Sequence, residues 1–178
     1  DMIEQWDPIT KTVKSMPYLP IGKDNFKNFI EQGLVTNNNI SIAQSGTNSN
    51  LRASANWIQN KGEYPNNRIN KYSFSLGGDV TLDKLILSSS MGYTKHDAPN
   101  AGFNGYKNYD PMYSLLIWSG ADFDVRQYRD YWLIEDEFQN NPYNAYNNSG
   151  VLETFGSLDN PYFQQHERTR SMNRDVFN

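Results

Sequence analysis

Between residues 35 and 96, apolar and polar side chains alternate with a period of two, the pattern of strands with one greasy and one polar-small face. Ile40 and Ile42 alternate with Asn39, Ser41 and Ala43; after the polar turn Thr47-Asn48-Ser49-Asn50, Leu51, Ala53, Ala55 and Trp57 alternate with Arg52, Ser54 and Asn56. A loop at 61–67, broken by Gly62 and Pro65, leads to Tyr72, Phe74 and Leu76 set against Ser73, Ser75 and Gly77. The turn Thr81-Leu82-Asp83-Lys84 then opens a run in which Leu85, Leu87, Ser89, Met91 and Tyr93 alternate with Ile86, Ser88, Ser90, Gly92 and Thr94. Four consecutive antiparallel strands, a meander, are predicted.

The flanks lack this period. Residues 1–23 hold Pro8, Pro17 and Pro20 and read as extended loop. Asp24 is placed to cap a two-turn helix with Phe26, Phe29 and Ile30 on one face and Gly33 just past its end. A structureless stretch from 97 to 172 would argue against the assignment, but this one carries signals of its own. Asp110 and Pro111 open a helix through Met112, Leu115, Leu116 and Trp118, stopped by Gly120. Asp122 is placed to cap a second helix with Val125, Tyr128 and Trp132 on one face, and Asn160-Pro161 starts a third toward Arg168. A folded excursion with a small core is expected.

Length and connection pattern narrow the class. The last two strands read at about 12 residues, well above the usual five or six and sufficient for a tilted membrane strand. Two short turns, 47–50 and 81–84, lie on one side; the loop 61–67 and the excursion lie on the other. Outer-membrane barrels show that asymmetry, with short periplasmic turns and long extracellular loops. Trp57, Tyr72 and Tyr93 then fall near one interface on the apolar face, where an aromatic girdle belongs. The fold class expected is all-β, a segment of a transmembrane antiparallel β-barrel with short helices in long extracellular loops. A soluble β-sandwich, whose strands also alternate, is the alternative.

Composition sharpens the picture. The 178-residue chain has only 37% hydrophobic residues and mean hydropathy −0.78, yet carries four Trp, twelve Tyr and nine Phe. Asn fills roughly one position in eight. No apolar run approaches the ~20 residues of a membrane helix. Net charge −4 without a Lys/Arg stripe excludes a basic nucleic-acid binder, and zero cysteines exclude disulfide staples and thiolate metal sites. The aromatics exclude compositional disorder. Both ends read as cut: Asp1 is no initiator, and 173–178 opens what reads as a strand. A piece of a longer chain is expected.

Catalytic signals are weak. His96 and His166 lack metal-ligand spacing and read as satisfied or surface histidines. Asp122 and Asp124 lack the Gly and Glu of a calcium loop and read as caps. Glu135-Asp136-Glu137 reads as a solvated loop, and no phosphate loop or nucleophile motif occurs. No enzyme activity, cofactor or metal is expected. The Tyr- and Asn-rich stretches of the excursion suit binding instead, because ring faces stack on sugars or peptides and amides both donate and accept. Tyr106, Tyr109, Tyr143 and Tyr146 are the substrate-binding candidates. The bland reading is that these rings pack the excursion's core or meet a partner protein.

The ordered string Asp24-Asn25-Phe26-Lys27-Asn28-Phe29-Ile30-Glu31-Gln32-Gly33, then Thr36-Asn37-Asn38-Asn39-Ile40-Ser41-Ile42, resembles the approach to the second barrel strand in the SusC/RagA family of TonB-dependent outer-membrane transporters. Asn60-Lys61-Gly62 with Pro65-Asn66, Val80-Thr81-Leu82-Asp83-Lys84-Leu85, and Asn160-Pro161-Tyr162-Phe163 with Glu167 and Asn173-Arg174-Asp175 match further family motifs in family order. Each is weak alone; order and spacing together are specific, over about residues 24–178. The resemblance implies a piece of a barrel of about 22 strands. Residues 1–34 would be an extracellular loop with a short helix, 35–96 four barrel strands, 97–173 a long extracellular loop with short helices, and 174–178 the start of the next strand. The family's plug with its TonB box, and the remaining strands, have no counterpart here.

The resemblance further implies uptake of nutrients such as glycan oligomers or peptides across a Gram-negative outer membrane. The partners implied are the rest of the transporter, a SusD-like surface lipoprotein acting as lid, the TonB complex acting through the plug, and outer-membrane lipid. Arg52, Ser54, Asn56, Ser73 and Ser75, with Ser88 and Ser90, would face the lumen, and Trp57, Tyr72 and Tyr93 the membrane interface. Two rivals stand beside this reading. One is a secreted soluble β-sandwich that binds carbohydrate through its aromatics. The other keeps the barrel as a receptor or secretion component.

Overall fold

The alternating stretch forms four strands of a five-stranded antiparallel sheet in the computed structural model, whose described residues are 1–102, 110–142 and 158–178, with the backbone of 144–146 and 152–154. The chain divides into two units. The sheet belongs to the unit made of Gln32–Gly62, Asn67–Ala101 and Arg170–Asn178. Its strands are β3 (Leu34–Ser45), β4 (Ser49–Lys61), β5 (Arg68–Leu82), β6 (Leu85–Asn100) and β11 (Met172–Phe177). Their order is β11-β6-β5-β4-β3, so the meander is followed across the sheet and the excursion returns to the free side of β6. The sheet is open, with β3 and β11 as its edges.

Turn chemistry explains the sheet's short end. Asp83 takes φ 54° in the two-residue Asp83-Lys84 connection between β5 and β6, a left-handed conformation that Asp tolerates because its short side chain bonds locally. β3 and β4 are joined through Gly46, whose N–H donates to the Ser49 carbonyl at 2.7 Å. At the other end the strands run past the alternating region. β6 continues four residues beyond 96, through His96-Asp97-Ala98-Pro99-Asn100, with a register shift against β5 between Arg68 and Asn70. β11 begins at Met172, earlier than read from sequence. Ladder bonds to neighbours hold these segments, so no apolar alternation is needed to mark them.

The second unit comprises Asp1–Glu31, Glu63–Asn66 and Gly102–Thr169. Its first element corrects a sequence expectation: residues 1–23 hold a β-hairpin, β1 (Met2–Asp7) against β2 (Thr12–Pro17), where extended loop was read. The prolines that suggested a loop sit where a hairpin accepts them, Pro8 in the connection and Pro17 at the strand end. Asp7 builds the turn, accepting from the Ile9 N–H at 3.0 Å and the Thr10 hydroxyl at 2.7 Å, while Lys11 takes φ 55°.

The helices are shorter than expected. α1 (Asn25–Phe29) ends at Ile30, not Gly33, and Asp24 makes no side-chain cap bond. Phe26 is exposed, whereas Phe29 is buried. Asp110 does cap α2 (Pro111–Tyr113), accepting from the Met112 N–H at 2.9 Å, but the helix widens into a π turn over Ser114–Trp118. The second cap is Asp124 rather than Asp122; it opens a 3-10 turn, Val125–Tyr128, and Trp132 lies in a strand instead. β7 (Trp132–Ile134) pairs with β8 (Phe138–Gln139), and β9 (Asn144–Tyr146) with β10 (Leu152–Thr154). Asn160 caps α3 (Pro161–His166) with Pro at its first turn. Phe29, Met112, Leu115, Val125 and Tyr162 form the core of this unit, with Tyr64 and Phe123 packed against it. Phe29 meets the Tyr162 ring edge-on at 5.1 Å.

Candidate functional site

Cross-strand register sorts the sheet's side chains into two faces. On one, Ile40, Ala55, Phe74, Tyr93 and Phe177 lie in a row across the five strands, and Ile42, Ala53, Leu76 and Met91 form the next. Trp57 and Tyr72 pair directly one row further out, their rings stacked at 6.2 Å and 12°. Tyr93 lies one row inward, stacked on Phe74 at 6.3 Å and against Phe177 at 4.8 Å. Its hydroxyl donates to Asp175 at 2.6 Å. The three aromatics singled out in the sequence therefore share one face and two adjacent rows. Phe74 and Phe177 belong to the same band; they were missed because a row is visible only once register is known.

This apolar face is uncovered in the structure: Ile40 is 71% exposed, Ile42 69% and Met91 61%. Along β5 its apolar positions run from Tyr72 to Leu82, about 34 Å of strand.

The opposite face is polar. Arg52, Ser54, Asn56, Ser73, Ser75, Ser88 and Ser90 all lie on it by register. The Ser54 and Ser75 hydroxyls hydrogen-bond at 2.7 Å, and the Thr94 hydroxyl donates to Ser73 at 3.4 Å. Asn56 Oδ1 is buried with no hydrogen-bond partner among the described residues. Toward the long-loop end, this face carries one row not anticipated from sequence: Lys71 on β5, His96 on β6 and Arg174 on β11 are direct cross-strand neighbours. Sequence spacing alone reads His96 as a satisfied or surface histidine. Its basic neighbours lie 25 and 78 positions away in sequence, and extending the alternation past residue 94 would have found the face, though not the row.

In the second unit several described titratable groups hold the fold. Lys14 and the Thr10 hydroxyl hold the Asp7 carboxyl down at about 2. Burial, with the Asp110 carboxylate beside it, pushes the Tyr64 hydroxyl up to about 12. Burial and a hydrogen bond to Glu167 push Tyr131 up to about 12. The Arg126 guanidinium grips Asp124 and lowers its carboxyl. A groove of about 710 Å³ runs between the β1–β2 hairpin and the segment around the 3-10 turn, lined by Trp6, Met16, Leu19, Phe123, Gln127 and Tyr128 among others.

Of the four candidate tyrosines, Tyr106, Tyr109 and Tyr143 lie outside the described residues, and Tyr146 is described only as backbone within β9. Among the described residues no group of three or more His, Asp or Glu side chains is placed to hold a metal ion, and no helix is long and apolar enough to cross a membrane. No protein-family model matches the chain, and no curated protein matches it.

Proposed function

We propose that this chain is a section of wall and extracellular loop from an outer-membrane TonB-dependent transporter of the SusC/RagA kind, importing nutrients such as glycan oligomers or peptides. The observation that carries the proposal is the uncovered apolar face of a sheet whose strands run to 16 residues. In water such a face is a liability of several hundred Å²; in a bilayer it is the required surface. The aromatic rows lie toward the long-loop end, as an outer-interface girdle would. The polar face then lines the lumen, and the edges β3 and β11 continue into the remaining strands, because an open edge in lipid leaves backbone groups unsatisfied. On this reading the second unit is extracellular, available to substrate and to a SusD-like lid. No residue of the chain performs covalent chemistry. Energy comes from the TonB complex through a plug that lies outside this stretch.

Detergent dependence tests it. The full-length protein, extracted from membranes, is expected to remain monodisperse in detergent and to aggregate when detergent is withdrawn. A monodisperse, detergent-free monomer would instead favour a soluble sandwich binding carbohydrate.

A further inference from the structure

The polar face of the sheet carries one cation, Arg52, and one acid, Asp79, toward the short-turn end, and a cluster of basic side chains at the other end. Lys71, His96 and Arg174 stand side by side on β5, β6 and β11. At about 4.8 Å between strands, the Lys71 ammonium and the Arg174 guanidinium arise about 10 Å apart, with the imidazole between them. No ion pair joins either cation to a carboxylate among the described residues. The acids nearest in sequence, Asp97 and Asp175, have the opposite parity and project from the apolar face. Asp79 is the one acid on the polar face of the five strands; it lies eight residues down β5, about 27 Å away, where it accepts from Asn50 at 3.1 Å. The row beneath the cations is made of Asn39, Asn56, Ser73, Thr94 and Val176, and Asn56 there carries a buried amide oxygen with no partner among the described residues.

We infer that this row is an anion subsite for the carboxylate of an acidic oligosaccharide. The inference rests on the transporter reading and narrows its substrate class to uronate-bearing glycans. A guanidinium offers a planar fork that matches a carboxylate, with the ammonium as a second point charge. The adjoining amides and hydroxyls offer donors and acceptors in the density that sugar hydroxyls need. A cationic patch on a low-dielectric wall also focuses anions before contact. Peptide is the weaker match, since this row offers an extended backbone no free edge and, beyond Ile58 and the neighbouring Val176, its side chains little apolar surface.

Binding of a purified oligogalacturonate to the full-length protein in detergent, measured by calorimetry, tests the assignment. The same oligomer with its carboxyls methyl-esterified and a sulfated neutral oligosaccharide serve as comparison ligands. The oligogalacturonate is expected to bind, with affinity falling as salt rises, and the methyl ester to bind at least about tenfold more weakly. Lys71→Gln and Arg174→Gln should each cost about tenfold, whereas Lys95→Gln, on the apolar face of the same strand as His96, should change nothing. Equal binding of ester and acid, preference for the sulfated ligand, absence of binding, or equal loss in Lys95→Gln would overturn it. A detergent-free soluble monomer would overturn the transporter reading separately, leaving the anion measurement readable on its own.

Discussion

Asn160 joins four backbone groups from three segments with one side chain. Its Oδ1 accepts from the Tyr162 and Phe163 N–H groups at 2.8 and 3.4 Å, capping α3, while its Nδ2 donates to the Tyr128 and Asn140 carbonyls at 2.9 and 2.6 Å. Asn140 does likewise, donating to Pro8 and Asp130 carbonyls and accepting from the Trp6 indole at 2.8 Å. Asn25 bridges the Phe123 carbonyl and the Val125 N–H, both at 2.9 Å. A unit built of short helices and loops buries backbone groups that no ladder satisfies; an amide, with donor and acceptor on one short stem, answers that need. This gives the high Asn content a physical cause beyond surface recognition. Replacing Asn160 with Ala removes a cap worth about 1 kcal/mol and strands buried carbonyls at about 1–3 kcal/mol each. A loss of about 3–7 kcal/mol in this unit is expected by hydrogen exchange at the Tyr162 and Phe163 amides. A change under about 1 kcal/mol would contradict it. Of these residues only Asn160 was legible in the sequence, because capping is local and Pro161 marks it. Asn25 bonds partners 98 and 100 positions away, and Asn140 bonds Pro8 and Trp6 132 and 134 positions away beside the nearer Asp130, and local pattern selected Asp24 as the cap instead.

At the scale of elements, the strands were legible because each carries a period of two over many turns of the pleat, and the short connections because their residues tolerate the needed conformations. What escaped was whatever depends on a partner strand. The β1–β2 hairpin has weak alternation and prolines at its margins, yet its ladder runs the full length from Met2↔Pro17 to Asp7↔Thr12. The polar extension of β6 is likewise held by β5 and β11. The two faces make a paired prediction. Met91→Arg places a charge in the middle of the apolar face, and Ser90→Arg places it on the adjacent polar position. In the full-length protein refolded into lipid vesicles and titrated with denaturant, Met91→Arg should cost about 2–4 kcal/mol and Ser90→Arg less than about 1. Equal costs would mean that both faces meet the same medium.

For the molecule as a whole, the sheet and the loop unit account for the paradox of a hydrophilic chain rich in aromatics. The strands need apolar residues only at alternate positions, and a unit cross-linked by asparagines lowers mean hydropathy further. Among the described residues, aromatics cluster in the sheet's two outer rows and in the Phe29–Tyr162 core. The candidate binding tyrosines were legible only as a composition, since no local pattern tells a stacking ring from a packed one, and the basic row emerged from register alone. The central claim is that one face of the sheet meets lipid and the other water. The chain has no native cysteine, so single cysteines report without background from this region. In outer membranes carrying the full-length protein, Ser54→Cys, Ser75→Cys and Ser90→Cys should react with a water-soluble maleimide. Ala53→Cys, Leu76→Cys and Met91→Cys should react only with a reagent dissolved in the lipid. Labelling of the second set from water, or its protection from both reagents, would contradict the account.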